Sequence, residues 1–296
     1  MRAPRTARDL RALFEARGLR PRSRFGQNFL VDPNVVDAIL RDAGVGPGET
    51  VLEIGPGPGI LTDRLLDAGA FVVAVEIDAD LHALLQEQFA GEGRLALLHR
   101  DVLESKHRIA REVLDAVDAA RAGGAWRVVA NLPYQVAAPV IGDLIGLPEP
   151  PVEILATVQL EVADRLASPP GRPEYGPLSV AVALASSSVE TLRTLPPDVF
   201  WPRPKVRSAV VRIRPDVRRR DAAGDWGAVE TFLRRAFRHR RKALRGGLRH
   251  AAGVDDATLD AAFAAAEVDP GARAETLSPE TLLALGRELG QVPPTP

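Results

Sequence analysis

Cysteine is absent from the 296-residue sequence, which excludes disulfides, thiolate metal sites and cysteine nucleophiles together. Histidine is sparse, with five in all. None of them stands at a ligand spacing such as H-E-x-x-H, so no metal centre is expected. No apolar run approaches the roughly 18 residues of a spanning helix, and no membrane partner is expected. Excess charge is missing too. The formal net charge is −1 and the pI about 6.6, so the molecule as a whole is not a polycation.

What is present is a hydrophobic fraction of 46%, ordinary for a chain with a real core. The length favours one large domain plus a small one. The N-terminal stretch is Arg-rich, from Arg2 to Arg24, which raises the question of an organellar transit peptide. It also carries Asp9 and Glu15 and few hydroxyls, and it lacks an apolar h-region. It therefore reads as a short amphipathic lead-in helix with Leu10, Leu13 and Phe14 as its stripe, and a cytoplasmic protein is expected. No heptads or exposed apolar strip demand a dimer, so a monomer is expected.

Short apolar runs alternate with helical patterns. Strands are expected at Thr50–Ile54, Phe71–Val75, Leu95–Leu98, Trp126–Ala130 and Ile154–Val158. Between them lie helices opened by Asp32-Pro33 or carrying Leu61/Leu65, Leu81/Leu85 and Ile109/Val113/Val117 as buried faces. Continuous rather than alternating apolar strands imply a parallel sheet covered on both faces, a doubly wound α/β fold. Two further strands, Val189–Leu195 and Ser208–Arg214, close the sheet. After Pro215 the chain reads as wholly helical. The expected division is residues 1–215 for the α/β domain and 216–296 for a small helical one.

Two motifs carry chemistry. Asn131-Leu132-Pro133-Tyr134 follows a buried strand, at the edge where ligands bind in open α/β sheets. The Asn131 amide oxygen and the carbonyl ahead of Pro133 can accept from an exocyclic NH₂, and the Tyr134 ring offers a nucleobase a stacking face. The second motif is Glu53-Ile54-Gly55-Pro56-Gly57-Pro58-Gly59, whose glycines let a ligand approach the backbone closely. A dinucleotide fingerprint needs G-x-G-x-x-G, whereas this run is G-x-G-x-G. It suits a smaller adenosyl ligand, S-adenosyl-L-methionine, which has no phosphate to cradle. Three strand-end acids fit that ligand. Glu53 would lie beneath the methionine portion, Glu76 would take the ribose hydroxyls, and Asp101 would accept from the adenine amine.

With both motifs in order, the chain resembles the rRNA adenine N6-dimethyltransferases, which dimethylate adjacent adenines near the 3′ end of small-subunit rRNA. The resemblance runs from about Arg22 to Leu289. Phe25-Gly26-Gln27-Asn28-Phe29-Leu30 matches the family's opening motif, and implies that Gln27, Asn28 and Leu30 help to hold the cofactor. Glu53 to Gly59 (with Gly55, Gly57 and Gly59), Glu76-Ile77, Asp101-Val102 and Asn131 match its cofactor positions, and Asn131 to Tyr134 its catalytic tetrapeptide. Tyr175-Gly176-Pro177-Leu178-Ser179 looks like its substrate-side loop. Phe200-x-Pro202-x-Pro204-Lys205-Val206 looks like its closing segment, which implies that Phe200 packs against the target base. Asp269-Pro270 and Arg273-Ala274-Glu275 are also family-like. The pattern departs at Leu160, where a basic residue is usual, and at Gln135 to Ala138. The implied fold is a Rossmann-like class I methyltransferase domain with a small all-helical C-terminal domain. The implied partner is the small ribosomal subunit during its biogenesis. Enzymes that methylate large-subunit rRNA, and non-catalytic nucleic-acid-binding relatives, share the scaffold.

From Arg234 to Arg249 there are eight Lys or Arg and no acid. Such local asymmetry is what phosphate contact needs. It reads as a basic helix that touches rRNA through Arg238, Arg240, Arg241, Lys242 and Arg245, with Lys205 added from the closing segment.

Overall fold

The computed structural model describes residues 3–240, 242–252 and 254–293, with residues 250–252 described by their backbone alone. Contacts divide the chain into two compact units. The first comprises Met1–Leu144, Pro151–Ala163 and Glu190–Ile213. The second comprises Ile145–Pro150, Asp164–Val189 and Arg214–Pro296. A single cut at 215 separates strands from helices, whereas compactness also assigns 164–189 to the second unit. The reason is local to that segment. Tyr175 is fully buried and its hydroxyl donates to the carbonyl of Leu277 (2.9 Å), while the amide of Gly171 donates to the carbonyl of Glu275 (2.7 Å).

The central sheet has seven strands. These are β1 (Thr50–Ile54), β2 (Phe71–Glu76), β3 (Leu95–His99), β4 (Trp126–Asn131), β5 (Glu153–Gln159), β6 (Ser186–Leu195) and β7 (Ser208–Pro215). Their order is β3-β2-β1-β4-β5-β7-β6. β1 to β5 run parallel, and β7 pairs antiparallel to β5. The order reverses between β1 and β4, and such a switch point opens a crevice at the carboxyl ends of the strands. All of β1 is buried, as are most of β2 and β5, because helices cover both faces. Val51, Val72, Val129 and Leu155 share a core with Val36, Ile39 and Leu65 from the helices. Burial of that kind contributes about 25 cal/mol per Å² of apolar surface.

Helix α1 (Ala7–Ala16) is the expected lead-in helix, capped by the Thr6 hydroxyl. It buries Leu10 and Phe14 against Phe29, Val31, Leu81 and Leu84. α2 (Pro33–Ala43) starts on the Asp32 carboxylate, which accepts from the amides of Asn34 and Val35, and stops at Gly44 (φ +57°). α3 (Ile60–Asp67) and α4 (Ala79–Gln88) follow β1 and β2. The helix expected to include Ile109 begins later, as α5 (Arg111–Arg121). Ile109 instead belongs to a hairpin of Leu103–Ser105 with Arg108–Ile109, whose Ile109 amide donates to Asp143 (2.7 Å). α6 (Ala137–Gly146) and α7 (Leu160–Leu166) follow β4 and β5.

The second unit is built on α8 (Pro177–Ala185), α9 (Val217–Ala223), α10 (Trp226–Ala236), α11 (Leu244–Ala252), α12 (Asp256–Ala265) and α13 (Pro279–Glu288). Phe232, Leu248, Phe263, Leu282 and Leu285 are its buried core. The continuous basic helix expected from Arg234 to Arg249 is two helices. α10 ends at its C-cap Phe237, and α11 resumes at Leu244, whose amide donates to the carbonyl of Ala272 (2.8 Å). Cations packed at adjacent turns repel one another, so the polar bend costs little while Phe237 and Leu244 both remain buried.

Candidate functional site

The carboxyl ends of β1, β2 and β4, with Arg100 to Val102 after β3, line one pocket of about 290 Å³, near the lower end of small-molecule sites. Asn131 closes β4 on its wall. The Asn131 Nδ2 donates to the main-chain carbonyl of Asn28 (2.9 Å), and the Asn28 Nδ2 donates to the carbonyl of Gly26 (3.0 Å). The opening motif is thus tied to the strand end. The Asn131 Oδ1 is buried and has no hydrogen-bond partner among the described residues. An unmet buried acceptor costs about 1–3 kcal/mol, so this oxygen is set for a donor that arrives with a ligand.

Leu132 is buried and its amide donates to the carbonyl of Thr157 (3.1 Å). Pro133 packs so closely that a Cβ on Gly55 would lie 3.0 Å from its Cγ. The Tyr134 ring borders the pocket, and its hydroxyl lies 2.7 Å from the Ser208 hydroxyl. Burial raises the phenol above its ordinary value, with the Ser208 bond pulling the other way. Tyr134 therefore stays protonated near neutrality and offers a face rather than a base.

On the opposite wall Glu76 is almost fully buried. Its Oε2 accepts from the amide of Gly57 (3.0 Å) and its Oε1 from the amide of Asp78 (2.8 Å). Gly57 reaches that position at φ +57°, and a Cβ there would meet the Phe29 ring at 2.8 Å, so only glycine serves. Burial raises the Glu76 carboxyl, partly offset by these amides. A carboxylate has about four acceptor positions, so two remain for a diol. Asp101 is exposed and its Oδ1 accepts from the amide of Leu103 (3.0 Å). Ile77, Val102 and Gly55 complete this wall. A buried two-acceptor acid, a second acid and apolar sides fit the ribose, amine and ring of an adenosyl group.

The opening motif is held from outside. The Gln27 Oε1 accepts from the amide of Arg22 (2.6 Å) and its Nε2 donates to Asp78 (2.9 Å). Arg22 also pairs with Asp78 (2.7 Å). Gln27 borders the pocket, but its amide fixes the loop.

Four residues read from the sequence as site residues lie elsewhere. Phe200 is 3% exposed and packs in the core near Leu30, its antiparallel partner in a two-residue bridge. It does not line the pocket. Leu30 and Glu53 border a smaller cavity beside it. Gly59 caps α3, where a Cβ would meet Leu85 and Phe89 at 2.9 Å, and it does not line the pocket. Conversely, Arg24, Phe25, Arg100, Gln135 and Val136 line the pocket and carried no role in the sequence reading. The position of Gln135 and Val136 directly after the tetrapeptide was the one signal that pointed to them.

In the second unit, Arg172, Arg238, His239, Arg240, Lys242 and Arg273 surround an open depression together with Glu275. The acids missing from the local sequence arrive from elsewhere. Arg240 donates to Glu275 (2.7 Å) and to the carbonyl of Pro173 (2.5 Å). Arg245 donates to Asp260 (2.6 Å) and Asp256 (3.2 Å). Arg238 and Lys242 have no ion pair among the described residues. Arg241 lies outside the described residues. In the first unit Lys205 is exposed.

Comparison with known proteins bears on these two sites. Residues 18–290 match the family described as "Ribosomal RNA adenine dimethylase". The "Ribosomal RNA small subunit methyltransferase A" of Anaeromyxobacter dehalogenans (strain 2CP-C) is 40% identical over 282 residues, covering 95% of this chain and 97% of that protein. Its namesake from Methylococcus capsulatus is 40% identical over 269 residues, covering 91% and 98%. Among solved structures, a dimethyladenosine transferase from Plasmodium falciparum superposes with a TM-score of 0.67 at 21% identity, over 88% of this chain and 97% of that one. The 23S rRNA methyltransferase ErmE gives a TM-score of 0.59 at 23% identity, over 89% and 100%. These two superpositions establish the fold.

Glu53 generates a test of its own. Its Oε2 accepts from the Thr62 hydroxyl (2.6 Å). Burial pushes its carboxyl up to about 8, the Thr62 bond opposing and the Glu76 charge adding. Because the folded pKa lies above the unfolded one, the native state holds the extra proton. Stability therefore falls as pH rises from about 4.5 to about 8 and levels off beyond. In Glu53→Gln the thermal midpoint is expected to match the parent near pH 5 and to exceed it increasingly up to pH 8 or 9. Parallel pH profiles in a thermal-shift series would contradict this.

Proposed function

The chain belongs to the ribosomal RNA adenine dimethylase family, and we propose that its strand-end pocket binds S-adenosyl-L-methionine and dimethylates N6 of two adjacent adenines near the 3′ end of small-subunit rRNA. The observation that carries the residue assignment is the buried Asn131 Oδ1, unmet while its Nδ2 is tied to Asn28. That fixes the amide with its acceptor toward an incoming N–H.

An adenine amine is a poor nucleophile because its lone pair is delocalised into the ring. The Asn131 Oδ1 and the Leu132 carbonyl accept its two N–H bonds and draw the nitrogen toward tetrahedral geometry. The lone pair is thereby freed and aimed. When bound, the cofactor supplies an electrophilic sulfonium methyl. Glu76 would hold its ribose hydroxyls and Asp101 its adenine amine, with Ile77 and Val102 against the ring. Tyr134 stacks on the target base, which must leave its helix to enter. Positioning and electrostatics carry most of the gain. Among the described residues, no histidine or lysine lines the pocket, and the methylated amine loses its proton to water.

In the second unit, Arg238 and Lys242 are the cations free to meet rRNA phosphates, with Arg172 beside them. Arg240 and Arg245 chiefly hold that surface together. Lys205 adds a contact from the closing segment. On this reading the protein acts as a monomer and works in the cytoplasm, where subunits are assembled. Among the described residues, no helix is long and apolar enough to cross a membrane.

The deciding experiment adds the protein and labelled S-adenosyl-L-methionine to immature small subunits from cells lacking the modification, then identifies nucleosides by mass spectrometry. N6,N6-dimethyladenosine near the 3′ end of the small-subunit rRNA is expected. Bound cofactor with methylation only of large-subunit rRNA, or of neither, overturns the reading. A second measurement addresses the basic surface. Each phosphate contact contributes about 0.9 to the slope of log K against log salt on duplex nucleic acid. Arg238→Gln combined with Lys242→Gln is expected to flatten that slope for subunit binding by one to two contacts, and Arg245→Gln to leave it unchanged. An unaltered slope in the double variant would remove both residues from the interface.

A further inference from the structure

A base that leaves its stack to be methylated uncovers the face of the base beside it, and that apolar face gains from a new cover. Among the described residues, the large apolar side chains left exposed are Phe71, Ile77, Val152, Val206 and Val217. Phe71 and Val152 lie at the amino ends of β2 and β5, away from the pocket at the carboxyl ends, and Val217 begins α9 in the second unit. Ile77 belongs to the cofactor wall. Of the five, Val206 alone is left without a role, and it is 46% exposed.

Its place is fixed from both sides. Pro204, whose ring restricts the backbone, is buried two residues before it, and Ser208 is fully buried two residues after it. Ser208 opens β7 in register with Gln159 of β5, and its hydroxyl lies 2.7 Å from that of Tyr134. The carbonyl of Arg207 accepts from the amide of Leu160 (3.0 Å). Two residues span at most about 7 Å, so Val206 stands within that reach of the residue that anchors the stacking tyrosine. Its flanks are cationic. Lys205 and Arg207 are exposed and have no ion pair among the described residues, whereas Arg203 is paired with Asp198 (2.7 Å). Free cations draw in a phosphate backbone, and an apolar side chain set between them is a general means of filling a gap beside an unstacked base. A β-branched side chain is stiff at χ1, so valine loses little freedom on insertion.

We propose that Lys205-Val206-Arg207 is a wedge for the target strand. Val206 packs on the base next to the adenine that has entered the pocket, and Lys205 and Arg207 hold the phosphates on either side of it. This rests on the reading of the pocket as an RNA adenine methyltransferase site and extends it to the neighbouring nucleotide. The bond between the Ser208 and Tyr134 hydroxyls joins the wedge to the stacking ring, so one continuous piece of structure holds both nucleotides.

The test uses the full chain with immature small subunits. Methyl transfer, subunit affinity, cofactor affinity by calorimetry and thermal midpoint are read on each variant. Full burial of a valine side chain is worth about a factor of ten. Val206→Ser is expected to slow transfer about tenfold, with the Kd for S-adenosyl-L-methionine within about twofold of the parent and the thermal midpoint unmoved. Val206→Ile is expected to keep the parental rate. Lys205→Gln combined with Arg207→Gln is expected to weaken subunit binding and to remove one to two phosphate contacts from its salt dependence. If Val206→Ser loses cofactor affinity or thermal midpoint in step with its rate, the valine is structural and the wedge is refuted. Parental transfer by Val206→Ser, or an unaltered salt slope in the double variant, refutes it as well. A parent chain that binds cofactor but methylates no small-subunit adenine refutes the functional reading, and the wedge falls with it.

Discussion

The site depends on how one buried amide is shared. Asn131 ends a parallel strand and is paired there with Thr157, which holds its backbone. Its nitrogen is engaged by the Asn28 carbonyl, and its oxygen is buried with no hydrogen-bond partner among the described residues. Reversing the amide would set its oxygen against the Asn28 carbonyl oxygen, acceptor against acceptor, and break the tie, so one orientation is strongly preferred. The fold thereby converts a side chain that can both donate and accept into a dedicated acceptor. A primary aromatic amine, with two N–H groups and a reluctant lone pair, is the ligand such an acceptor suits.

The neighbouring acids show the same economy of environment. Glu53 and Glu76 are both buried at the ends of adjacent strands. Glu76 receives two backbone amides and faces the pocket, whereas Glu53 receives one hydroxyl and faces a smaller cavity. Amide donors favour the charged form and burial the neutral one; burial leads at both carboxyls, and at Glu76 the two amides offset part of it. The glycines of the intervening turn divide similarly. Gly55 and Gly57 border the pocket, while Gly59 admits Leu85 and Phe89.

Much of this was legible in the sequence. Parallel strands announce themselves as short continuous apolar runs, so β1 to β5 and the pocket at their ends could be placed from Thr50, Phe71, Leu95, Trp126 and Ile154 onward, even though β3, at the sheet edge, is only partly buried. The ordered motifs supplied the family and its cofactor. What stayed hidden was long-range. Phe200 sits in a motif that suggests a base-facing ring, but its burial follows from pairing with Leu30, 170 residues earlier. The run from Arg234 to Arg249 has no local acid, yet Glu275, Asp256 and Asp260 reach back to it. The sequence could not say which way the Asn131 amide points, because both orientations share one residue name. Phe25 and Arg24 went unassigned because their proximity to Tyr134 exists only once the chain is folded.

The most direct measurement is single-turnover methyl transfer to immature small subunits by Asn131→Ala, with cofactor affinity determined on the same preparation. If the Asn131 oxygen holds and polarises the amine, the transfer rate falls by about a hundredfold or more while cofactor Kd changes little. A variant that still transfers at nearly the parental rate would show that the amide oxygen does not carry the chemistry.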